Sequence, residues 1–174
     1  MTGPSHRVLS ESEVLSRLKS RRGQPGYLAM FSSWLGGVIT DPALMQIPLD
    51  DHLVHRGHGV FDTCTLSGGN LYRLGVHMDR LLTSAALARI EHSWTKEDLI
   101  RMVMDTASHA GVKDGAVRYW LTAGPGGFSP SPQECDEPCF YCIIIDPVPL
   151  GGTRSDPMSV GIPEATVLDT PMKP

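Results

Sequence analysis

The run Cys139-Phe140-Tyr141-Cys142-Ile143-Ile144-Ile145 is unbroken in apolar and aromatic side chains, and Pro147 closes it. It is too short for an ordinary helix and suits a strand withdrawn from water. Such a strand needs sheet neighbours and packed layers, so the chain must fold around it. Cys139 and Cys142 are separated by an odd spacing, which points them to opposite faces of that strand. With Cys135 they form a cysteine run of the kind that binds zinc, but opposed faces argue for buried or half-buried free thiols instead.

The rest of the chain supplies the neighbours. Apolar positions Val14, Leu15 and Leu18 among charges predict a short amphipathic helix over 11–19. A strand over 27–33, the turn Gly36-Gly37 and a short strand Val38-Ile39-Thr40 read as a hairpin. The β-forming stretch 59–66 joins 70–74 through Ser67-Gly68-Gly69, a second hairpin whose glycines can take positive φ. Met78, Leu81, Leu82, Ala85 and Ala86 mark one stripe of a helix over 76–90. Thr95 opens a further helix with Glu97 and Asp98 in its first turn, and Gly111 stands where a left-handed cap is expected. A strand over 115–123 stops at Gly124-Pro125-Gly126-Gly127, read as a flexible lip beside a cleft.

These elements predict an α+β domain with a mainly antiparallel sheet and two helices. The expected divisions are an N-terminal extension over 1–26, the domain over 27–146, a Pro/Gly-rich linker over 147–157 and the first strands of an incomplete second domain over 158–174. A formal net charge of −4 on 174 residues, 41% of them hydrophobic, describes a soluble globular chain and gives no reason to expect nucleic acid or a membrane as partner. The first residues lack the apolar core of a secretory signal, and Glu11 and Glu13 are unlike a transit peptide. A cytoplasmic location with reduced thiols is expected, an organelle being the alternative.

Three places carry candidate chemistry. His52, His55 and His58 would be metal ligands if they shared a helical face, but Gly57 and Gly59 argue against a helix there and favour a loop of locally bonded histidines. Arg80, near the start of a helix, offers a guanidinium fork suited to phosphate, or else a surface ion pair near Asp79 or with Glu91. The glycines 124–127 precede no helix and lack the lysine and hydroxyl of a nucleotide loop.

Several ordered blocks change these weights. Ser33-Trp34-Leu35-Gly36-Gly37, His55-Arg56-Gly57-His58-Gly59-Val60-Phe61-Asp62, Leu71-Tyr72, His77-Met78-Asp79-Arg80-Leu81-Leu82-Thr83-Ser84-Ala85 and Arg118-Tyr119-Trp120-Leu121-Thr122-Ala123-Gly124-Pro125-Gly126 resemble the small N-terminal domain of fold type IV, class IV aminotransferases. The likeness runs over 27–174. It is stronger to the plant-type D-amino acid transaminases and aminodeoxychorismate lyases than to other branches, which include the branched-chain aminotransferases.

The resemblance implies pyridoxal 5'-phosphate (PLP) as cofactor, Arg80 as a ligand of its phosphate, and Phe61 and Arg118 at the substrate pocket. It implies amino acid and 2-oxo acid substrates and a homodimer. Residues 123–130 hold neither the Arg nor the His with which bacterial D-amino acid transaminases bind the substrate carboxylate, so that mode of recognition is not expected. In plant-type relatives a stretch like Thr170-Pro171-Met172-Lys173-Pro174 precedes the Schiff-base lysine, so Lys173 is not expected to be that lysine. The expected outcome is a chain with no catalytic residue of its own, no metal and no covalently held cofactor. It is expected to be the N-terminal portion of such an enzyme, inactive by itself, or else a noncatalytic small-domain module for binding or dimerisation.

Overall fold

The computed structural model describes residues 6–21, 26–129, 131–135 and 137–146. The segments 147–157 and 158–174, Lys173 among them, lie outside the described residues.

The apolar run becomes β6 (Cys139–Ile145), which is buried along almost its whole length. It lies in the middle of a six-stranded antiparallel sheet with the order β2-β1-β6-β5-β3-β4. The other strands are β1 (Tyr27–Ser32), β2 (Gly37–Ile39), β3 (Gly59–Ser67), β4 (Asn70–Leu71) and β5 (Gly115–Thr122). β6 pairs with β1 through Ser32↔Tyr141 and Met30↔Ile143, and with β5 through Trp120↔Tyr141 and Val117↔Ile144. Both of its edges are therefore hydrogen-bonded, which is why a run without charged side chains is tolerated there.

Each face of β6 has its own cover. Phe140, Cys142 and Ile144 join Val117, Leu121 and Tyr119 under two helices, α3 (Leu74–Leu87) and α4 (Lys96–Ala110), which contribute Met78, Leu81, Ala85, Leu99 and Val103. On the other face Cys139, Tyr141 and Ile143 pack with Met30 and with Met45 and Ile47 from the segment after β2. Cys139 and Cys142 do sit on opposite faces, and Cys64, Cys135, Cys139 and Cys142 form no disulfide among the described residues.

Turn chemistry places the elements. Gly68 and Gly69 have φ of 56° and 80° and close the β3–β4 hairpin, as two-residue turns with both central residues left-handed do. α4 opens with a capping box between Thr95 and Asp98 and ends at Gly111, φ 69°. α3 begins two residues before the sequence pattern suggests, from Arg73 in the left-handed region, and stops at Leu87 because Arg89 also takes φ 54°. An N-terminal helix α1 (Glu11–Arg21) completes these elements.

One local expectation is corrected. His52–Arg56 is a short helix, α2, rather than a loop. Asp51 caps it by accepting from the Leu53 amide at 2.8 Å, and Gly57, with φ 67°, terminates the helix instead of forbidding it.

The glycine stretch after β5 is likewise no free lip. The His52 amide donates to the Gly124 carbonyl at 3.0 Å, the Gly126 amide donates to the Asp50 carbonyl at 3.2 Å, and Asp51 and Pro125 form a β-bridge. Gly124 combines φ +91° with a site where a Cβ would overlap the Glu137 carbonyl oxygen. Gly36 has a similar φ of +73° but nothing within 4 Å. Gly124→Ala should therefore lower unfolding stability by about 2–4 kcal/mol, and Gly36→Ala by about 1–2 kcal/mol; urea denaturation of the two variants separates clash from backbone strain.

Candidate cofactor and substrate site

β3 alternates regularly, so Val60, Asp62, Cys64 and Leu66 turn towards the helices while Phe61, Thr63 and Thr65 turn away. Asp62 is thus a carboxylate in the helix-facing layer, only 4% exposed. α3 crosses above it and brings Arg80 down as partner. Arg80 donates through Nε to Oδ2 at 2.6 Å and through Nη2 to Oδ1 at 2.5 Å, a two-point clamp. The Thr63 amide donates to Oδ1 at 2.6 Å, and His77, one helical turn before Arg80, places Nδ1 3.3 Å from the same oxygen.

Burial by itself would push the Asp62 carboxyl up. The Arg80 and Thr63 hydrogen bonds, with the charges of Arg80 and His77, outweigh it and hold the carboxyl below its ordinary range. Arg80 is raised in turn by Asp62. Although its inner side is clamped, the Arg80 side chain remains 62% exposed, and Nη1 makes no hydrogen bond among the described residues.

Phe61 and Arg118 meet on the opposite face of the sheet. Phe61 pairs with Trp120 and Thr63 with Arg118, so Arg118 stands diagonally from Phe61 and its Cζ lies 5.5 Å from the ring centroid. Phe61 is 61% exposed, and Arg118 is exposed as well. β4 pairs only with Leu66 and Ser67, so no strand lies against the outer edge of β3 from Gly59 to Cys64 among the described residues. The structure therefore joins Phe61 with Arg118, places Arg80 apart from them, and leaves the strand that separates them open along one side.

The partner of Arg80 is not the one anticipated near Asp79 or Glu91. Asp79 pairs with Lys96 at 2.5 Å, and Arg80 reaches Asp62, eighteen positions earlier. The available signal was an acid at an inward position of an alternating strand, where a carboxylate requires a cation.

The histidines serve local structure. His52 is buried, with Nε2 2.9 Å from Glu134 Oε1. His55 Nε2 is 3.3 Å from the Asp50 carbonyl oxygen, and its ring packs 4.9 Å from that of Phe128. His58 Nε2 lies 3.0 Å from the Ala88 carbonyl oxygen. Each ring thus has a separate partner, and among the described residues no group of three or more His, Cys, Asp or Glu is placed to hold a metal ion. Beneath them Asp51, fully buried, accepts from Thr122 Oγ1 at 3.0 Å and Tyr141 OH at 2.8 Å, as well as from the Leu53 amide. Burial raises the Tyr141 phenol, as do its bonds to Cys139 and Asp51, and burial beside Asp62 pushes the Cys64 thiol up to about 11. Neither group is a nucleophile at neutral pH.

The sequence model of the class IV amino-transferases matches residues 59–171. The chain is 51% identical over 138 residues to the chloroplastic D-amino-acid transaminase of Arabidopsis thaliana, covering 79% of this chain and 37% of that protein. The branched-chain amino acid aminotransferase of Escherichia coli superposes with a TM-score of 0.61 at 17% identity, covering 69% of this chain and 40% of the other. The branched-chain amino acid aminotransferase of T.th., complexed with N-(5'-phosphopyridoxyl)-L-glutamate, gives 0.62 at 16% identity, with 71% and 42% covered. The two structures establish the shared fold. The chain spans about two fifths of the length of these relatives.

Because the Asp62 pKa is lower folded than unfolded, its contribution to stability is complete above the ordinary carboxylate range, near pH 4, and lost as pH falls through the folded value. Asp62→Asn should cost about 1–3 kcal/mol at pH 7 and flatten the fall in stability between pH 5 and 2. Urea midpoints measured across that range check both effects.

Proposed function

The chain belongs to the class IV amino-transferase family, and on that premise we propose that it forms the half of a PLP-dependent active site that grips the cofactor phosphate and faces the substrate. Asp62 aims the Arg80 guanidinium, whose exposed nitrogen is left for a phosphate oxygen. This pre-organised arginine is the observation that carries the reading. A side chain already clamped loses little conformational freedom on binding an anion. Phe61 offers an apolar wall and Arg118 a cation for a substrate carboxylate on the other side of β3. The open edge of that strand is where one ligand would meet both sides.

PLP, when bound, would supply the electron sink for reaction at the substrate α-carbon. The chain's own residues fit a binding and orienting role. Of the three described lysines, Lys19 and Lys96 are engaged with Asp41 and Asp79, and Lys113 is exposed in the connection between α4 and β5, so none is enclosed as an imine-forming amine. Residues 1–174 assayed alone are therefore proposed to have no turnover. The activity to which they contribute is proposed as that of a D-amino acid transaminase or an aminodeoxychorismate lyase, with amino acids and 2-oxo acids as substrates.

A homodimer is part of this proposal, supported by the exposed Phe61, Tyr72 and Val76. A noncatalytic dimerisation module is the second reading, supported by the same surface. No helix among the described residues is long and apolar enough to cross a membrane. The cytosol is the proposed compartment, an organelle the alternative, since the Arabidopsis relative is described as chloroplastic.

Titration of the purified chain with PLP and with pyridoxal separates phosphate recognition from ring recognition. Arg80→Ala should weaken PLP about tenfold or more while leaving pyridoxal unchanged. Equal effects on both ligands would remove Arg80 from the phosphate site. With D-alanine and 2-oxoglutarate the wild-type chain should form no pyruvate, and turnover there would overturn the proposed inactivity.

A further inference from the structure

Away from Arg80, three connections converge at the end of the sheet where β1 and β5 finish and β6 begins. The β1–β2 turn brings Trp34, the segment between α3 and α4 brings Trp94, and the segments flanking β5 and β6 bring Pro125, Glu137 and Pro138. Together they line a cavity of about 270 Å³. The chain has three tryptophans, so two of them meet in this one small space.

The frame of the cavity is rigid. The Phe140 amide donates to Ser33 Oγ at 2.8 Å, and the Ser33 amide donates to the Phe140 carbonyl at 3.0 Å, which fixes the residue before Trp34 against the start of β6. Gly124 lies so close to the Glu137 carbonyl that no side chain fits between them, and this holds Pro125 beside Glu137. The Trp94 ring stacks on His92 with centroids 6.1 Å apart and planes 23° from parallel. Trp34 is 55% exposed, so part of its indole is open to a ligand from solvent.

The electrostatics of the lining have one sign. No basic residue among the described ones lines the cavity, the acidic residue Glu137 lines it and is exposed, and burial raises the Cys139 thiol and so keeps it neutral. Indole faces carry negative quadrupolar potential, and a carboxylate beside two of them adds a full negative charge. A cation with an apolar surface is the species this combination favours, because it loses little hydration and meets both kinds of attraction.

We propose that the Trp34–Trp94–Glu137 cavity is a binding site for a small alkylated ammonium ion, distinct from the Arg80 and Arg118 surfaces. This does not rest on the proposed PLP chemistry, since neither Arg80 nor Arg118 lines the cavity.

The probe is choline, compared with 3,3-dimethylbutan-1-ol, which has the same shape without the charge. In the full chain labelled with ¹⁵N, choline should saturably shift the indole signals of Trp34 and Trp94 and leave that of Trp120 in place as an internal reference. The neutral alcohol should leave all three unmoved at the same concentration. Glu137→Gln and Trp34→Leu, both at exposed positions, should each weaken choline about three- to fivefold without changing the remaining spectrum. The proposal fails if the alcohol matches choline, if Trp120 responds equally, or if choline affinity is unchanged in both variants.

Discussion

The pairing of β6 on both edges is the constraint on which the rest of the molecule depends. A strand with β1 on one side and β5 on the other, carrying no charged side chain and with its one phenol, Tyr141, bonded to buried Asp51, has nothing with which to meet water on either face. Two covers are therefore required: the paired helices α3 and α4, and on the opposite face the segment carrying Met45 and Ile47. The second cover stops short of β3. This leaves Phe61 and Arg118 bare on the same sheet whose other face is sealed, and an open face of this kind is where a protein can place recognition without disturbing its core.

Two buried aspartates show how one residue type serves opposite ends. Asp51 is enclosed and bonded to Thr122, Tyr141 and the Leu53 amide, all within the fold, so its charge holds α2 and the loop after β5 to the sheet. Asp62 is almost as buried, but its main partner is an arginine that stays largely in water. The first network ends inside the protein, and the second leads out of it. A carboxylate buried without partners would cost several kcal/mol, so both positions demand such networks. Only the second leaves a cation pointing outward.

The glycines beside α2 and after β5 repeat this division. Gly57 and Gly124 adopt left-handed conformations that place α2 and the following loop in contact, and His52, His55 and Arg56 then tie that loop down through Glu134, the Phe128 ring and the Phe128 carbonyl. His52, His55 and His58, close in sequence, bond separately to Glu134, Asp50 and Ala88 and form the polar lining of this joint.

By itself the sequence determined the elements with a local physical cause. The strand 139–145 follows from its unbroken apolarity, the β3–β4 hairpin from Gly68-Gly69, and α4 from the Thr95–Asp98 box and Gly111; the motif blocks around Phe61, Arg80 and Arg118 pointed to the family. Where local signals were ambiguous it misled, taking Gly57 as a helix breaker when it is a helix terminator. Tertiary structure alone decided that Arg80 meets Asp62 rather than Asp79 or Glu91, that Phe61 and Arg118 share one face while Arg80 lies on the other, and that Trp34 and Trp94 face one cavity. Each of these depends on which strand lies beside which and how α3 crosses β3, and long-range register leaves no mark on the spacing of residues along the chain.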